Sequence, residues 1–202
     1  ILSGPSFSNE VSQSLPTAVT LATKDKKDFE NISKLIPNKE FRIYYSNDLI
    51  GTQIGGALKN IYAIAAGIAE GLNLGENAKS ALISRSFAEI TRYAKKFKAD
   101  KNTLFGLSGL GDLILTCSSK NSRNTQFGIK LASSKYDNFL DLLQSQEVTE
   151  GYYTVKAVYN ISQKKNIDMP IMESVYNILY KQHDLKEELS NLLSRPITEE
   201  KI

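Results

Sequence analysis

The sequence predicts a mainly α-helical fold, in which a piece of an α/β domain at residues 1–46 precedes an all-helical domain at residues 47–202. Two observations predict it. The clear strand patterns, at residues 16–22 and 41–45, both lie before residue 47, and a helical pattern separates them, as in an α/β sheet. Beyond residue 47 the strand signals fade, and apolar residues recur at helical spacing.

The first 46 residues supply the elements of the α/β piece. Residues 1–5 resemble the end of a strand that enters a turn, and residues 7–14 suit a short helix. Residues 16–22 alternate and carry β-branched side chains, which indicates a strand. A charged amphipathic helix is expected at residues 24–36, followed by the second strand. Because the chain starts without an initiator methionine and residues 1–5 suit the end of a strand, we expect the sequence to begin inside a larger protein.

Helices account for the rest of the chain. Asp48 is expected to cap a long helix that ends near residues 71–75, and a second helix is expected at residues 77–97. A glycine-rich turn and a short apolar run are predicted at residues 104–117. Pro170 suits the first turn of a helix. Further helices are predicted at residues 126–133, 139–144, 154–164, 171–182 and 185–193.

Composition excludes several classes of function. The net charge of +3 is too mild to indicate a nucleic-acid partner, although it suits an anionic substrate. The single cysteine, Cys117, excludes an internal disulfide and favours a reducing compartment. With one histidine, His183, the chain lacks the ligands of the usual zinc clusters, so no metal site is expected. No apolar run reaches the roughly 18 to 20 residues of a membrane span.

The most informative stretch is residues 55–67, an apolar, small-residue helix that contains one lysine and one asparagine, Lys59 and Asn60. Such a helix is expected to be buried at the centre of the fold. A lysine there is costly unless it is paired, and burial favours the neutral form that can accept a proton. The alternative is that the stem of Lys59 packs while its ammonium group reaches water.

Three other stretches combine backbone freedom with polar side chains. Gly4, Pro5 and Ser6 form a turn with free amides and a hydroxyl, or a plain loop. Residues 106–116 lack the G-x-G-x-x-G spacing of a dinucleotide site, and Asp112 within them either caps a helix or faces Lys59. Residues 118–125 are rich in hydroxyl, amide and cationic donors, which suit a phosphate or carboxylate but also occur in solvated loops.

These residue types favour one class of reaction. A half-buried lysine, an aspartate and an anion-binding arginine suit proton transfer at an alcohol or carbonyl carbon. Hydride transfer would require a bound cofactor, since no side chain performs it. A Ser-His-Asp or Cys-His device would depend on His183, which lies in an exposed-looking loop, and no carboxylate pair indicates glycoside hydrolysis.

At these residues the chain resembles the NAD(P)-dependent glycerol-3-phosphate dehydrogenases, most closely the bacterial form. The resemblance implies an all-helical C-terminal substrate domain, like that of 6-phosphogluconate dehydrogenase, preceded by the last strands of an incomplete α/β Rossmann domain. The matching motifs keep the family's order along the chain: residues 2–7, 16–19, 50–51 with 55–60, 106–117, 122–124 with 127–128, 150–151, and 169–171 with 175–176.

The resemblance also implies a function and a set of site residues. The family interconverts sn-glycerol 3-phosphate and dihydroxyacetone phosphate with NAD(P)H in the cytoplasm, usually as a homodimer, and supplies phospholipid synthesis. The lysine that matches Lys59 is its catalytic acid/base. Substrate contacts are implied for Gly4, Ser6, Lys59, Asp112, Ser122, Arg123 and Asn124. Cofactor contacts are implied for Ser8, where the family often has alanine, and for Arg123, Val148 and Glu150.

One departure from the family bears on activity. Family members begin with a Rossmann domain that carries a G-x-G-x-x-G turn and another substrate-binding lysine, and neither occurs in this sequence. We therefore expect this chain alone to bind NAD(P)H poorly and to have no useful turnover. NADH-versus-NADPH preference depends mostly on that domain.

Two other functions remain open at this point. A related hydroxy-acid or nucleotide-sugar dehydrogenase would share the domain plan, but would not be expected to carry Ser122, Arg123 and Asn124 after the glycine-rich stretch. A non-catalytic helical dimerisation module would explain the apolar helices. It would not explain why the motifs that contain Lys59, Asp112 and Arg123 occur together.

Overall fold

The computed structural model describes residues 1–36, 39–133, 149–196 and 199–200, and it confirms the mainly α-helical fold. A small sheet comes first, with β1 (Leu2–Ser3) antiparallel to β2 (Thr17–Ala22), and β2 parallel to β3 (Phe41–Ser46). Helix α1 (Ser8–Ser12) follows β1, and α2 (Lys26–Lys34) connects the two parallel strands. The order of strand, helix and strand is the one that the sequence predicts.

The helical part is built around α3 (Leu49–Gly71), which begins where the sequence predicts. Asp48 caps it, since its Oδ1 accepts a hydrogen bond from the amide of Gly51 at 2.8 Å. Most of α3 is buried, and Ile61, Tyr62 and Ile64 are fully enclosed. The remaining helices are α4 (Gly75–Lys96), α5 (Lys101–Phe105), α6 (Asp112–Ser118), α7 (Arg123–Ser133), α8 (Glu150–Lys165), α9 (Pro170–Lys181) and α10 (Leu185–Leu193).

Helices α3 and α7 cross at very close range, and two glycines make this possible. A Cβ atom on Gly67 would lie 2.0 Å from the carbonyl oxygen of Thr125, and one on Gly128 would lie 2.2 Å from that of Ile64. Real Cβ atoms do not approach backbone so closely, so any larger residue would push the helices apart. The crossing sets where α7 begins relative to the lysine on α3.

The prediction for residues 104–117 is wrong in detail. The structure has the short helix α5, a π-helical turn at Leu107–Gly111, and then α6, rather than the predicted glycine-rich turn followed by a short apolar run. Gly109 does serve a close approach to another backbone segment, as the sequence indicates, because a Cβ atom there would lie 2.0 Å from the carbonyl oxygen of Leu104. A Cβ atom on Gly55 would lie 2.2 Å from the carbonyl oxygen of Ser108, so α3 packs directly on the π-helical backbone. Without this tertiary contact in view, so many glycines favour a turn.

Other boundaries differ less. Helix α7 begins three residues before the predicted residue 126, and α8 begins four residues before the predicted residue 154. Pro170 is the first residue of α9, as expected. The helix predicted at residues 139–144 lies outside the described residues. Within the described part of the chain, no helix has both the length and the apolar character that crossing a bilayer requires.

Candidate active site

A polar cleft of about 720 Å³ lies where the turn after β1, the middle of α3, α6 and the first turns of α7 and α8 meet. Val148 lies outside the described residues. The other residues that the sequence assigns to the site all line this cleft: Gly4, Ser6, Ser8, Lys59, Asp112, Ser122, Arg123, Asn124 and Glu150. Segments that are far apart in the sequence therefore contribute to one concave surface, which is the usual form of a small-molecule site.

An ion pair occupies the floor of the cleft. The Nζ atom of Lys59 donates to Oδ2 of Asp112 at 2.6 Å, and the side chains are 22% and 3% exposed. Asp112 is the first residue of α6 rather than its cap, so the capping interpretation is wrong and the carboxylate faces Lys59. Burial raises the pKa of the Asp112 carboxyl, and the Lys59 ammonium and the Thr116 hydroxyl partly offset this effect.

Thr116, which was not assigned to the site from the sequence, holds the aspartate in place. Its hydroxyl lies 2.6 Å from the backbone carbonyl oxygen of Asp112 and 3.3 Å from Oδ1 of the same residue. The two residues are one helical turn apart on α6, where a hydroxyl can reach back to the preceding turn. A threonine four residues after a candidate aspartate is the signal that could have identified it.

The start of α7 forms one wall of the cleft. Ser122 precedes the helix, is almost fully buried, and accepts a hydrogen bond from the amide of Thr125 through its Oγ at 3.3 Å. Arg123 is the first helical residue, is half exposed, and donates through Nη2 to the carboxylate of Glu150. A cation beside the amino-terminal end of an 11-residue helix is a favourable place for an anion.

Asn124 connects this wall to the helix that carries the lysine. Its Nδ2 donates to Oδ1 of Asn60 at 3.2 Å and lies 3.4 Å from Oε2 of Glu150. Its Oδ1 accepts from the amide of Gly151 at 2.9 Å. Asn60 was not assigned to the site from the sequence, although an asparagine beside the lysine of an apolar helix is an available signal.

The turn after β1 closes the side of the cleft nearest the sheet. Gly4 has φ of +149°, and a Cβ atom there would lie 3.0 Å from Cα of Val19, so this position requires glycine. The hydroxyl of Ser6 donates to the carbonyl oxygen of Gly4 at 3.0 Å, which stabilises the turn. Ser8 begins α1 and lines the same side.

The two residues that a nucleophilic catalytic device would require, His183 and Cys117, are not placed to form one. His183 follows the end of α9, outside the lining of the cleft, and its Nδ1 lies 2.8 Å from Oε1 of Glu188. Cys117 is fully buried, and burial raises the pKa of its thiol to about 12. Among the described residues, no group of three or more His, Cys, Asp or Glu side chains could hold a metal ion.

Comparison with known proteins gives a consistent result. Residues 48–190 match the family model described as NAD-dependent glycerol-3-phosphate dehydrogenase C-terminus. A glycerol-3-phosphate dehydrogenase [NAD(P)+] from Solidesulfovibrio magneticus is 46% identical over 201 residues, which are 99% of this chain and 60% of the relative. One from Francisella tularensis is 44% identical, again over 99% of this chain and 60% of the relative. The chain thus spans about 60% of the length of these curated relatives.

Solved structures agree with the sequence relatives. The glycerol-3-phosphate dehydrogenase of Coxiella burnetii superimposes with a TM-score of 0.91 at 39% identity, over 96% of this chain and 59% of that one. The glycerol-3-phosphate dehydrogenase of Saccharomyces cerevisiae superimposes with a TM-score of 0.84 at 27% identity, over the same shares of the two chains.

Proposed function

Because the chain belongs to the family of NAD-dependent glycerol-3-phosphate dehydrogenases, we propose that it is the catalytic-lysine portion of such an enzyme. The reaction would interconvert sn-glycerol 3-phosphate and dihydroxyacetone phosphate, and we place it in the supply of glycerophospholipid precursors. The observation that carries the proposal is the single cleft in which the Lys59–Asp112 pair faces Arg123 at the start of α7.

Lys59 is the proton carrier in this proposal. In the direction of reduction, its ammonium group donates a proton to the carbonyl oxygen that becomes the secondary hydroxyl of the product. In the direction of oxidation, the neutral amine accepts the proton of that hydroxyl. Asp112, which is buried and held by Thr116, fixes the position of Nζ and stabilises its charged form. Asp112 is therefore a positioning residue in this scheme.

Arg123 and the first turn of α7 are proposed to bind the phosphate of the substrate. A guanidinium group matches the geometry of phosphate oxygens, and the helix terminus adds a partial positive charge. Ser122 and Asn124 flank the arginine, and Gly4 and Ser6 form the opposite side of the cleft. With the phosphate bound at α7, the carbon chain of the substrate would extend toward Lys59.

The residues at the mouth of the cleft suit part of a nicotinamide cofactor site. Ser8, Arg123 and Glu150 would contact NAD(P)H there, which supplies the hydride when bound; Val148 remains a prediction outside the described residues. We further propose that residues 1–46 are the end of a nucleotide-binding domain and residues 47–202 the substrate domain. Since these 202 residues contain no G-x-G-x-x-G turn, we expect little turnover from this chain alone.

The oligomeric state and the cellular location of the protein are proposed from its family. We propose a homodimer in the cytoplasm, where the buried free thiol of Cys117 would remain reduced. A non-catalytic dimerisation module is disfavoured by the cleft, because a structural module has no need for a buried ion pair at the floor of a polar cavity.

Replacing Lys59 with methionine tests the function directly. The variant is best placed in a protein that carries this chain behind a dinucleotide-binding domain. We expect dihydroxyacetone phosphate-dependent NADH oxidation to fall by about 10²-fold to 10⁴-fold, because the proton carrier is lost. Circular dichroism would verify that the fold is retained.

The matched control is Lys79→Met. Lys79 is also part-buried and ion-paired, with Nζ 2.9 Å from Oε2 of Glu70, but it lies outside the lining of the cleft. It should retain turnover near the wild-type rate. Wild-type turnover in Lys59→Met would refute the role of Lys59.

A further inference from the structure

The charged side chains that line the cleft balance one another. Among the described residues of its lining, Lys59 and Arg123 are cationic, and Asp112 and Glu150 are anionic. Each cation contacts one of the carboxylates: Lys59 pairs with Asp112, and Arg123 pairs with Glu150. An anion that enters the cleft thus meets two cations whose charges are already offset by carboxylates. The affinity for the anion therefore depends on whether each carboxylate stays paired with its cation or moves away from it.

The two carboxylates differ in how firmly they are held. The side chain of Asp112 is 3% exposed and also accepts from the Thr116 hydroxyl. That of Glu150 is 42% exposed and lies on the first residue of α8, with Oε2 a long 3.4 Å from Nδ2 of Asn124. Since an exposed ion pair contributes little to stability, Glu150 can rotate away from Arg123 at small cost. Asp112 has no such freedom.

A carboxylate and a phosphate compete for the same guanidinium edge, because both present paired oxygens that accept its parallel N–H groups. We propose that Glu150 is a built-in competitor of the substrate's phosphate for Arg123, and that its charge sets both the affinity and the charge selectivity of the cleft. This inference rests on the proposed function, since it takes a phosphate as the group that Arg123 binds. It gives Glu150 a role toward the substrate in addition to the cofactor contact that the resemblance implies.

Inorganic phosphate bound to the 202-residue chain provides a test that requires no turnover. Isothermal titration calorimetry would compare wild type with Glu150→Gln, whose amide oxygen can still accept from Arg123 but carries no charge. We expect Glu150→Gln to bind the phosphate dianion roughly tenfold more tightly, because a neutral amide competes for the Arg123 guanidinium less strongly than a carboxylate does. The gain should be smaller at a pH at which the monoanion dominates.

Two further variants make the test specific. Glu173→Gln, which removes a carboxylate from the first turn of α9 outside the lining of the cleft, should bind phosphate as the wild type does. In an Arg123→Gln background, Glu150→Gln should no longer increase the affinity for phosphate. The guanidinium group for which the carboxylate competes is then absent.

The outcomes separate this inference from the proposed function. If the wild type binds phosphate and Glu150→Gln binds it equally or more weakly, Glu150 supports Arg123 rather than competing for it, and only this inference fails. A gain that persists without Arg123 would also overturn it. If neither the wild type nor any variant binds phosphate, the inference fails together with the proposed phosphate site. The role of Lys59 as proton carrier is tested separately, by the loss of turnover in Lys59→Met.

Discussion

Lys59 carries its charge in a mostly apolar segment of α3, and its ion pair with Asp112 offsets the cost of burying that charge. A buried carboxylate alone is costly, and so is a half-buried ammonium group, but at 2.6 Å each offsets the desolvation of the other. Such a pair adds little net stability, and breaking it by removing one partner is costly. The pair is therefore better explained by the chemistry of the cleft than by the stability of the fold.

Glu89 is a second buried carboxylate, and it lies outside the cleft. Its oxygens accept hydrogen bonds from the amides of Ile171 and Met172 at the start of α9, at 2.7 and 3.1 Å, and from the hydroxyl of Tyr62 at 3.1 Å. The positive charge of the Arg92 guanidinium also favours the ionised carboxylate and lowers its pKa. Burial outweighs these contacts and raises the pKa of Glu89 to about 7.

This raised pKa predicts a pH-dependent stability. Since the folded protein binds the proton of Glu89 more tightly than the unfolded chain, this contribution is fully present below pH 4.5 and is lost as the pH rises to about 7. The loss should be on the order of 3 kcal/mol. Denaturant unfolding of wild type and Glu89→Gln across this range would measure it. The variant should show a flatter dependence, and parallel curves would contradict the assignment.

At the scale of elements, the crossing of α3 and α7 predicts an unusual response to alanine. Gly128→Ala should lower the free energy of unfolding by about 1–3 kcal/mol or more, although alanine normally stabilises a helix, because its Cβ would meet the carbonyl oxygen of Ile64 at 2.2 Å. Gly111→Ala is the control. Gly111 has helical φ and ψ, and the neighbour nearest to its Cβ would be 3.7 Å away. Equal stability of the two variants would refute the tight crossing.

Local sequence signals identified most elements but not how they pack. Asp48 as a cap, Pro170 as a first helical residue and the β-branched residues of β2 act over a few residues, so they can be recognised in the sequence. The π-helical turn at Leu107–Gly111 could not be, because its backbone packs against Gly55 of α3, which is about 50 residues away in sequence. Without that contact, local glycine content predicts a turn.

At the scale of the whole molecule, the candidate site shows the same difference between signals that are local in the sequence and contacts that depend on the fold. Lys59 was conspicuous by itself, as a charge in an apolar helix, but its partner lies 53 positions away in sequence. Joining Asp112, Arg123 and Glu150 to it required the family's order of motifs. The spacing of Thr116 and Asp112 on one helix could have indicated their contact, whereas the hydrogen bond between Asn60 and Asn124 joins residues 64 positions apart and depends on the fold.

The central position of α3 also predicts how stability is distributed. Helix α3 packs against α4, α5, α6, α7, α8 and α9, and Ile61, Tyr62 and Ile64 are fully buried. Their amides should exchange with solvent only through global unfolding. Helix α2, by contrast, has no buried residue, so it should exchange through local opening at a lower free energy.

Native-state hydrogen exchange, with the free energy of global unfolding measured by denaturant, tests this difference. The exchange free energy of the α3 amides should equal the global value, and that of α2 should be several kcal/mol smaller. Equal protection of the two helices would show that the sheet and the helical part unfold as one unit. If instead α3 exchanged well below the global value, the Lys59–Asp112 pair would be on a mobile element. The cleft could not then hold Lys59 in a fixed position relative to Arg123, as proton transfer to a bound substrate requires.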